Sequence, residues 1–284
     1  MNQIILKVRS RKLTQLNDVC ILIPEGDYSV RREYPVLWLL HGGSWDYTCF
    51  LYHDRIEEIL KGRKYVVVMP SGLNSDFANH MEFASGYPVT DYFFDELMPL
   101  VYRTFPASKR KEDNYLAGYS MGGAAALMFA LLHPEKFALT GVLGSTVRES
   151  AFLEPYRKLK GWEFRAEVVK NPKAFPTEFG DPDKGITRKE INMIARYDSV
   201  EDYLDSPECT IERFNDAVKE GRVPELLFCS GEEDGCTPKV RAFLDYAEKA
   251  GVKSIRSCFI PGCTHDMSDI VLRYALKEMG LTDR

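Results

Sequence analysis

Gly118-Tyr119-Ser120-Met121-Gly122 is the stretch of this chain best equipped for chemistry. A serine hydroxyl is a weak nucleophile at neutral pH unless a base takes its proton. Asn114-Tyr115-Leu116-Ala117 ahead of it has the composition of a short buried strand. Gly123 to Leu132, rich in Ala and Leu, has that of a helix stopped near His133-Pro134. Strand, G-x-S-x-G turn and helix in that order make a nucleophile elbow, whose strained turn lifts the serine above the sheet. Small residues are needed at Gly118 and Gly122 because larger ones would collide where strand and helix cross. The new helix also aims its free N–H groups at the same spot, where an anion can be held.

The base is found by position. His41, His53 and His80 precede Ser120, and His133 lies on the elbow helix and helps to end it, which leaves His265 in Gly262-Cys263-Thr264-His265-Asp266. An imidazole base needs a carboxylate to hold its tautomer and offset its charge. Asp234, in Ser230-Gly231-Glu232-Glu233-Asp234, is the choice, with Glu232 and Glu233 as alternatives in the same loop. A developing oxyanion needs two N–H donors. One is expected from Met121, the residue after the nucleophile. The other is expected from Gly43 in His41-Gly42-Gly43-Ser44, with Gly42 or Ser44 as alternatives. Trp45, His80, Tyr119 and Met267 are candidates for lining the substrate pocket, although such side chains more often pack cores. Cys236 and Cys263 lie near the proposed acid and base. With no dinucleotide fingerprint, P-loop or metal-ligand cluster in the sequence, neither cofactor nor metal is expected.

These groups must be carried by a framework. Ile4–Val8 and Val19–Ile23 read as an antiparallel pair of strands at a sheet edge. The apolar runs Val36–Leu40, Tyr65–Met69, Tyr115–Ala117 and Leu139–Leu143 have the pattern of parallel strands buried on both faces. Helical periods at Arg55–Leu60 and Asp91–Tyr102 lie between them, which implies helices on both faces of a parallel sheet. Two further strands, Glu225–Cys229 and Ile255–Ile260, flank a helix with Thr237 as its cap and Pro238 at its first position. A helix over about Asp269–Met279 follows. The charged stretch at about 145–222, with Trp162, Phe164, Phe175 and Phe179, breaks the rhythm and reads as a helical cap over the site.

A chain of 284 residues suits one enzyme-sized domain, 1–284, carrying that insertion. A net charge of −5, without a large Lys/Arg cluster, argues against nucleic-acid or anionic-membrane partners; Lys109-Arg110-Lys111 reads as a solvated loop. The apolar run at the N-terminus is too short for a signal-peptide core, and no run approaches a membrane span. Seven scattered cysteines without a CxxC pair fit reduced thiols. A cytoplasmic location is therefore expected, with a small-molecule ester as partner and a homo-oligomer left open.

The chain resembles the esterase D / tributyrin esterase group of α/β-hydrolases, related to S-formylglutathione hydrolases and feruloyl esterases. The resemblance rests on Pro35-Val36-Leu37-Trp38-Leu39-Leu40-His41-Gly42-Gly43, Val68-Met69-Pro70-Ser71-Gly72, Asp95-Glu96-Leu97, Ala117 to Gly123, Gly231 to Asp234 and Gly262 to His265. It implies an α/β-hydrolase fold with Ser120 as nucleophile, Asp234 as acid and His265 as base, in a metal-independent carboxylesterase for short acyl esters. Thioesterase and feruloyl-type activities are close alternatives; a non-catalytic ligand-binding protein of this fold is a remoter one. Met267 stands where the group often has tryptophan, and the loop after His41 lacks the Thr-Cys arrangement of S-formylglutathione hydrolases.

Overall fold

Val36–Leu40, Val66–Pro70 and Leu139–Leu143 are buried at every position, as strands covered on both faces must be. The computed structural model describes residues 1–26, 32–80, 87–170 and 194–283. In chain order its strands are β1 (Asn2–Arg9), β2 (Leu16–Ile23), β3 (Val36–Leu40), β4 (Val66–Pro70), β5 (Asn79–His80), β6 (Tyr87–Pro88), β7 (Asn114–Tyr119), β8 (Leu139–Leu143), β9 (Leu226–Gly231) and β10 (Ile255–Ile260). Eight of them form one sheet in the order β1-β2-β4-β3-β7-β8-β9-β10, and β5 and β6 pair separately. β1 and β2 are antiparallel at one edge, as expected from the sequence, and β2 joins β4 antiparallel. Every other pairing in the large sheet is parallel.

Strand alternation sorts the core. Val36, Trp38 and Leu40 face the elbow helix, Met121–Leu132, while Leu37 and Leu39 face the opposite layer with Ile56, Ile59 and the closing helix Ser268–Glu278. The elbow helix is buried almost all round, which its Ala- and Leu-rich sequence permits. The chain leaves β3 toward one edge of the sheet and, from β7 onward, builds toward the other. The end of β3 and the end of β7 therefore meet at a switch point, where ligands bind in open α/β sheets.

A buried amide ties the base of β3 to β7. Asn114 Oδ1 accepts from the Trp38 indole N–H at 3.0 Å and from the Tyr102 hydroxyl at 2.8 Å, while its Nδ2 donates to the carbonyls of Ser108 and Arg110. Asn114→Leu strands a buried indole donor and a part-buried hydroxyl donor and is expected to cost about 2–4 kcal/mol. Urea titration of the variant measures this, and a loss below about 1 kcal/mol would show that the amide is dispensable.

The helix after β9 runs Thr237–Lys249, with Cys236 rather than Thr237 at the cap position. The Thr237 hydroxyl instead donates to the Gly231 carbonyl at 2.6 Å and shares a 2.7 Å hydrogen bond with Ser230, tying down the loop that carries Asp234. Among its described residues the stretch 145–222 carries helices at Ala151–Tyr156, Gly161–Lys170, Val200–Leu204 and Thr210–Lys219. Leu153, Phe164, Tyr203 and Phe214 pack it onto Leu127 and Leu131 of the elbow helix and onto Phe228 and Phe243, whereas Trp162 is exposed. Phe175 and Phe179 lie outside the described residues. No helix among the described residues is long and apolar enough to cross a membrane.

Candidate active site

Ser120 leaves β7 with φ 54° and ψ −113°, a strained backbone conformation for a residue with a side chain. The strain is held from both sides: Ser120 N–H donates to the Leu143 carbonyl at 2.8 Å, and Ala124 N–H donates to the Ser120 carbonyl at 3.0 Å. Crowding explains the glycines. A Cβ at Gly118 would overlap the Gly122 carbonyl, and one at Gly122 would overlap the Leu40 carbonyl.

His265 arrives on the loop after β10 and Asp234 on the loop after β9. His265 Nδ1–H donates to Asp234 Oδ2 at 2.8 Å, so its Nε2 is the acceptor for the Ser120 hydroxyl at 3.0 Å. The Asp234 side chain is buried and the His265 side chain half-exposed. Burial alone would raise the Asp234 carboxyl, but hydrogen bonds from His265 and from Cys236 N–H hold it below its ordinary value. The hydrogen bond to Asp234 raises the His265 imidazole above its ordinary value against the opposing effect of burial. The other two candidates for the acid turn away: Glu232 pairs with Arg241, and both glutamates are exposed.

Gly42 and Gly43 line the same cavity as Ser120, and Met121 is the first residue of the elbow helix, where N–H groups lack intrahelical partners. Ser44 N–H is taken by Asn74 Oδ1 at 3.3 Å, which leaves the two glycines as candidates on that loop. His41, set aside above as a base, is a positioning residue. Gly72 N–H donates to its Nε2 at 2.8 Å, so its Nδ1–H donates to the Gly42 carbonyl, also at 2.8 Å. That bond orients the peptide whose N–H belongs to Gly43. Burial lowers the His41 pKa, which keeps the ring neutral for this pair of bonds.

The cavity beside Ser120 has a volume of about 370 Å³. Of the pocket candidates, Trp45 and Tyr119 line it, and the Tyr119 hydroxyl also donates to the His265 carbonyl at 2.5 Å, fixing the histidine loop. His80 and Met267 are not in that wall. His80 is buried, with Nε2 2.5 Å from the Ser75 carbonyl, and Met267 packs at the start of the closing helix. No described residue of the insertion is in the wall, which is completed by Cys49, His53, Asp54, Asp266 and Ser268. Sequence reasoning missed these because His53 and Asp54 sit some 65 residues before the serine, with no motif around them. Among the described residues no His, Cys, Asp or Glu cluster is arranged to hold a metal ion.

An elbow serine at the switch point of a mostly parallel sheet, reached by groups from the two later strands, is the arrangement of the α/β-hydrolases. The model of the Esterase family, a family of carboxylic ester hydrolases, matches residues 10–180, and the chain belongs to that family. It is 29% identical over 124 residues to Esterase Rv1288 of Mycobacterium tuberculosis, covering 42% of this chain and 27% of that protein. It is 30% identical over 156 residues to the endo-1,4-beta-xylanase/feruloyl esterase of Xylanibacter ruminicola, covering 51% of this chain and 19% of that protein. The matched segments thus span less than a third of these relatives. Among solved structures, the fluorophosphonate-binding serine hydrolase FphF of Staphylococcus aureus superposes with a TM-score of 0.72 at 25% identity, covering 98% of both chains. The S-formylglutathione hydrolase FrmB of the same organism shares the fold, with a TM-score of 0.72 at 23% identity.

Proposed function

We propose that this protein is a serine carboxylesterase that hydrolyses short-chain acyl esters through an acyl-enzyme. The observation that carries this reading is the continuous line of hydrogen bonds from Ser120 through His265 to Asp234. Ser120 attacks the ester carbonyl while His265 takes its proton, and the N–H groups of Met121 and Gly43 receive the oxyanion. His265 returns the proton to the leaving alcohol, and water then releases the acid by the same route. Similarity to a fluorophosphonate-binding hydrolase supports the same nucleophile chemistry.

The test is a p-nitrophenyl ester series from acetate to octanoate, run beside labelling with a fluorophosphonate. The expected result is turnover falling with acyl length, and one adduct per chain mapped to Ser120 by peptide mass spectrometry. A folded protein that neither turns over the acetate nor takes the label would overturn the reading.

The pH dependence follows from the His265–Asp234 pair. The base must be neutral, and its pKa is raised, so activity is lost as pH falls through a value above the ordinary 6.5. The acid limb of kcat/KM is therefore expected above pH 6.5. Asp234→Asn removes the support for the imidazolium and shifts the limb to lower pH. It also lowers the plateau by about 10⁴-fold, because the ring takes the wrong tautomer. Matched pH–rate profiles check both; an unmoved limb would show that Asp234 does not set the base.

A further inference from the structure

A second imidazole–carboxylate pair stands in the wall of the same cavity. His53 Nδ1–H donates to Asp54 Oδ1 at 2.7 Å, and the Ser268 hydroxyl donates to the same oxygen at 2.7 Å. The Asp54 side chain is 2% exposed and that of His53 41%. Burial raises the Asp54 pKa despite its hydrogen bonds to His53 and Ser268. The exposed ring of Trp45 stands 5.7 Å from the His53 ring, and Asp266 lines the same cavity.

This pair is not a second nucleophile system. Ser268 Oγ lies 3.2 Å from His53 Nδ1, the nitrogen already committed to Asp54, and among the described residues no hydroxyl is poised on the opposite ring nitrogen as Ser120 is on His265. What remains for a ligand is His53 Nε2. The side of the cavity it serves follows from the reaction. His265 hands its proton to the leaving alcohol, so that alcohol lies next to His265. Asp266 and Ser268 follow His265 in the chain, share its wall, and through Ser268 reach the His53–Asp54 pair.

With Nδ1–H committed, Nε2 accepts a hydrogen bond in the neutral ring and donates one in the imidazolium. A hydroxyl can partner either form. The Asp266 carboxylate can accept from a second hydroxyl, and the Trp45 ring offers an apolar surface to the carbons between. We infer that His53, held by Asp54 and Ser268, selects esters whose leaving alcohol carries a further hydroxyl. The inference rests on the esterase reading and adds to it the class of alcohol.

The test compares 2-hydroxyethyl acetate with propyl acetate, which differ by a hydroxyl in place of a methyl, each rate corrected for alkaline hydrolysis of the same ester. Wild type is expected to favour the hydroxyethyl ester by about tenfold in kcat/KM, mostly through KM. His53→Phe is expected to bring the ratio to about one, and His53→Gln, which can both accept and donate, to retain part of it. Because the ratio is taken within each variant, partial loss of folded protein cancels. Tyr52→Ala, at an exposed neighbour outside the wall, is expected to keep the wild-type ratio. A wild-type ratio near one, or a ratio that survives in His53→Phe, overturns the inference while leaving the esterase reading intact. Hydrolysis of neither ester, nor of p-nitrophenyl acetate, overturns both.

Discussion

Ser120→Ala is expected to lower kcat/KM for p-nitrophenyl acetate by about 10⁴-fold or more, some 5 kcal/mol of transition-state stabilisation. The variant loses the atom that bonds to carbon, and His265 Nε2 loses the hydroxyl 3.0 Å away that it would deprotonate. On the proposed mechanism the oxyanion donors and substrate binding are kept, so a small residual rate over buffer is expected as well. The fold should tolerate the change. Alanine removes one oxygen from a partly exposed position, and the backbone bonds that hold the turn, to Leu143 and from Ala124, are untouched. Circular dichroism on heating should show a Tm close to that of wild type. A folded variant retaining a tenth of wild-type activity would place the nucleophile elsewhere.

Gly122→Ala is expected to lower stability sharply. The new Cβ would overlap the Leu40 carbonyl and come within 2.7 Å of the His41 carbonyl oxygen. Neither is a flexible side-chain end, so the elbow helix must retreat from β3. Overpacking of this kind costs about 3 kcal/mol, or a Tm fall of about 6–12 °C in a chain of this size. The retreat also carries Met121 N–H away from the loop of Gly42 and Gly43, so activity should fall in the fraction that stays folded. Gly235→Ala is the control, since a Cβ there meets nothing within 4 Å; its Tm should stay within about 2 °C. Equal melting of the two variants would refute the steric account.

The elbow, the order of strands and helices, and the pairing of a serine with a late histidine and an acid between them were legible in the residues themselves. Buried parallel strands are written as unbroken aliphatic runs, such as Val66-Val67-Val68, and the elbow as glycines on either side of a serine. Both are local signals, set by the pleat of the strand and by the space a Cβ occupies. Asp234 was the choice over Glu232 and Glu233 in the same loop, and the fold gives the physical reason: it buries that one carboxylate against His265 and leaves the other two exposed.

The lining of the cavity was decided by tertiary structure alone. His80, in a two-stranded pair held to Ser75, and Met267, packed at a helix start, looked as eligible as Trp45 from the sequence. His53 was set aside because it precedes Ser120, and no motif marks Asp54. Ser268, 214 residues later, is what joins Asp54 to the histidine loop. A wall assembled from segments that far apart has no periodicity for a sequence to display. Its members are chosen by where loops at the ends of different strands happen to converge, and only the folded chain brings those ends to one edge of the sheet.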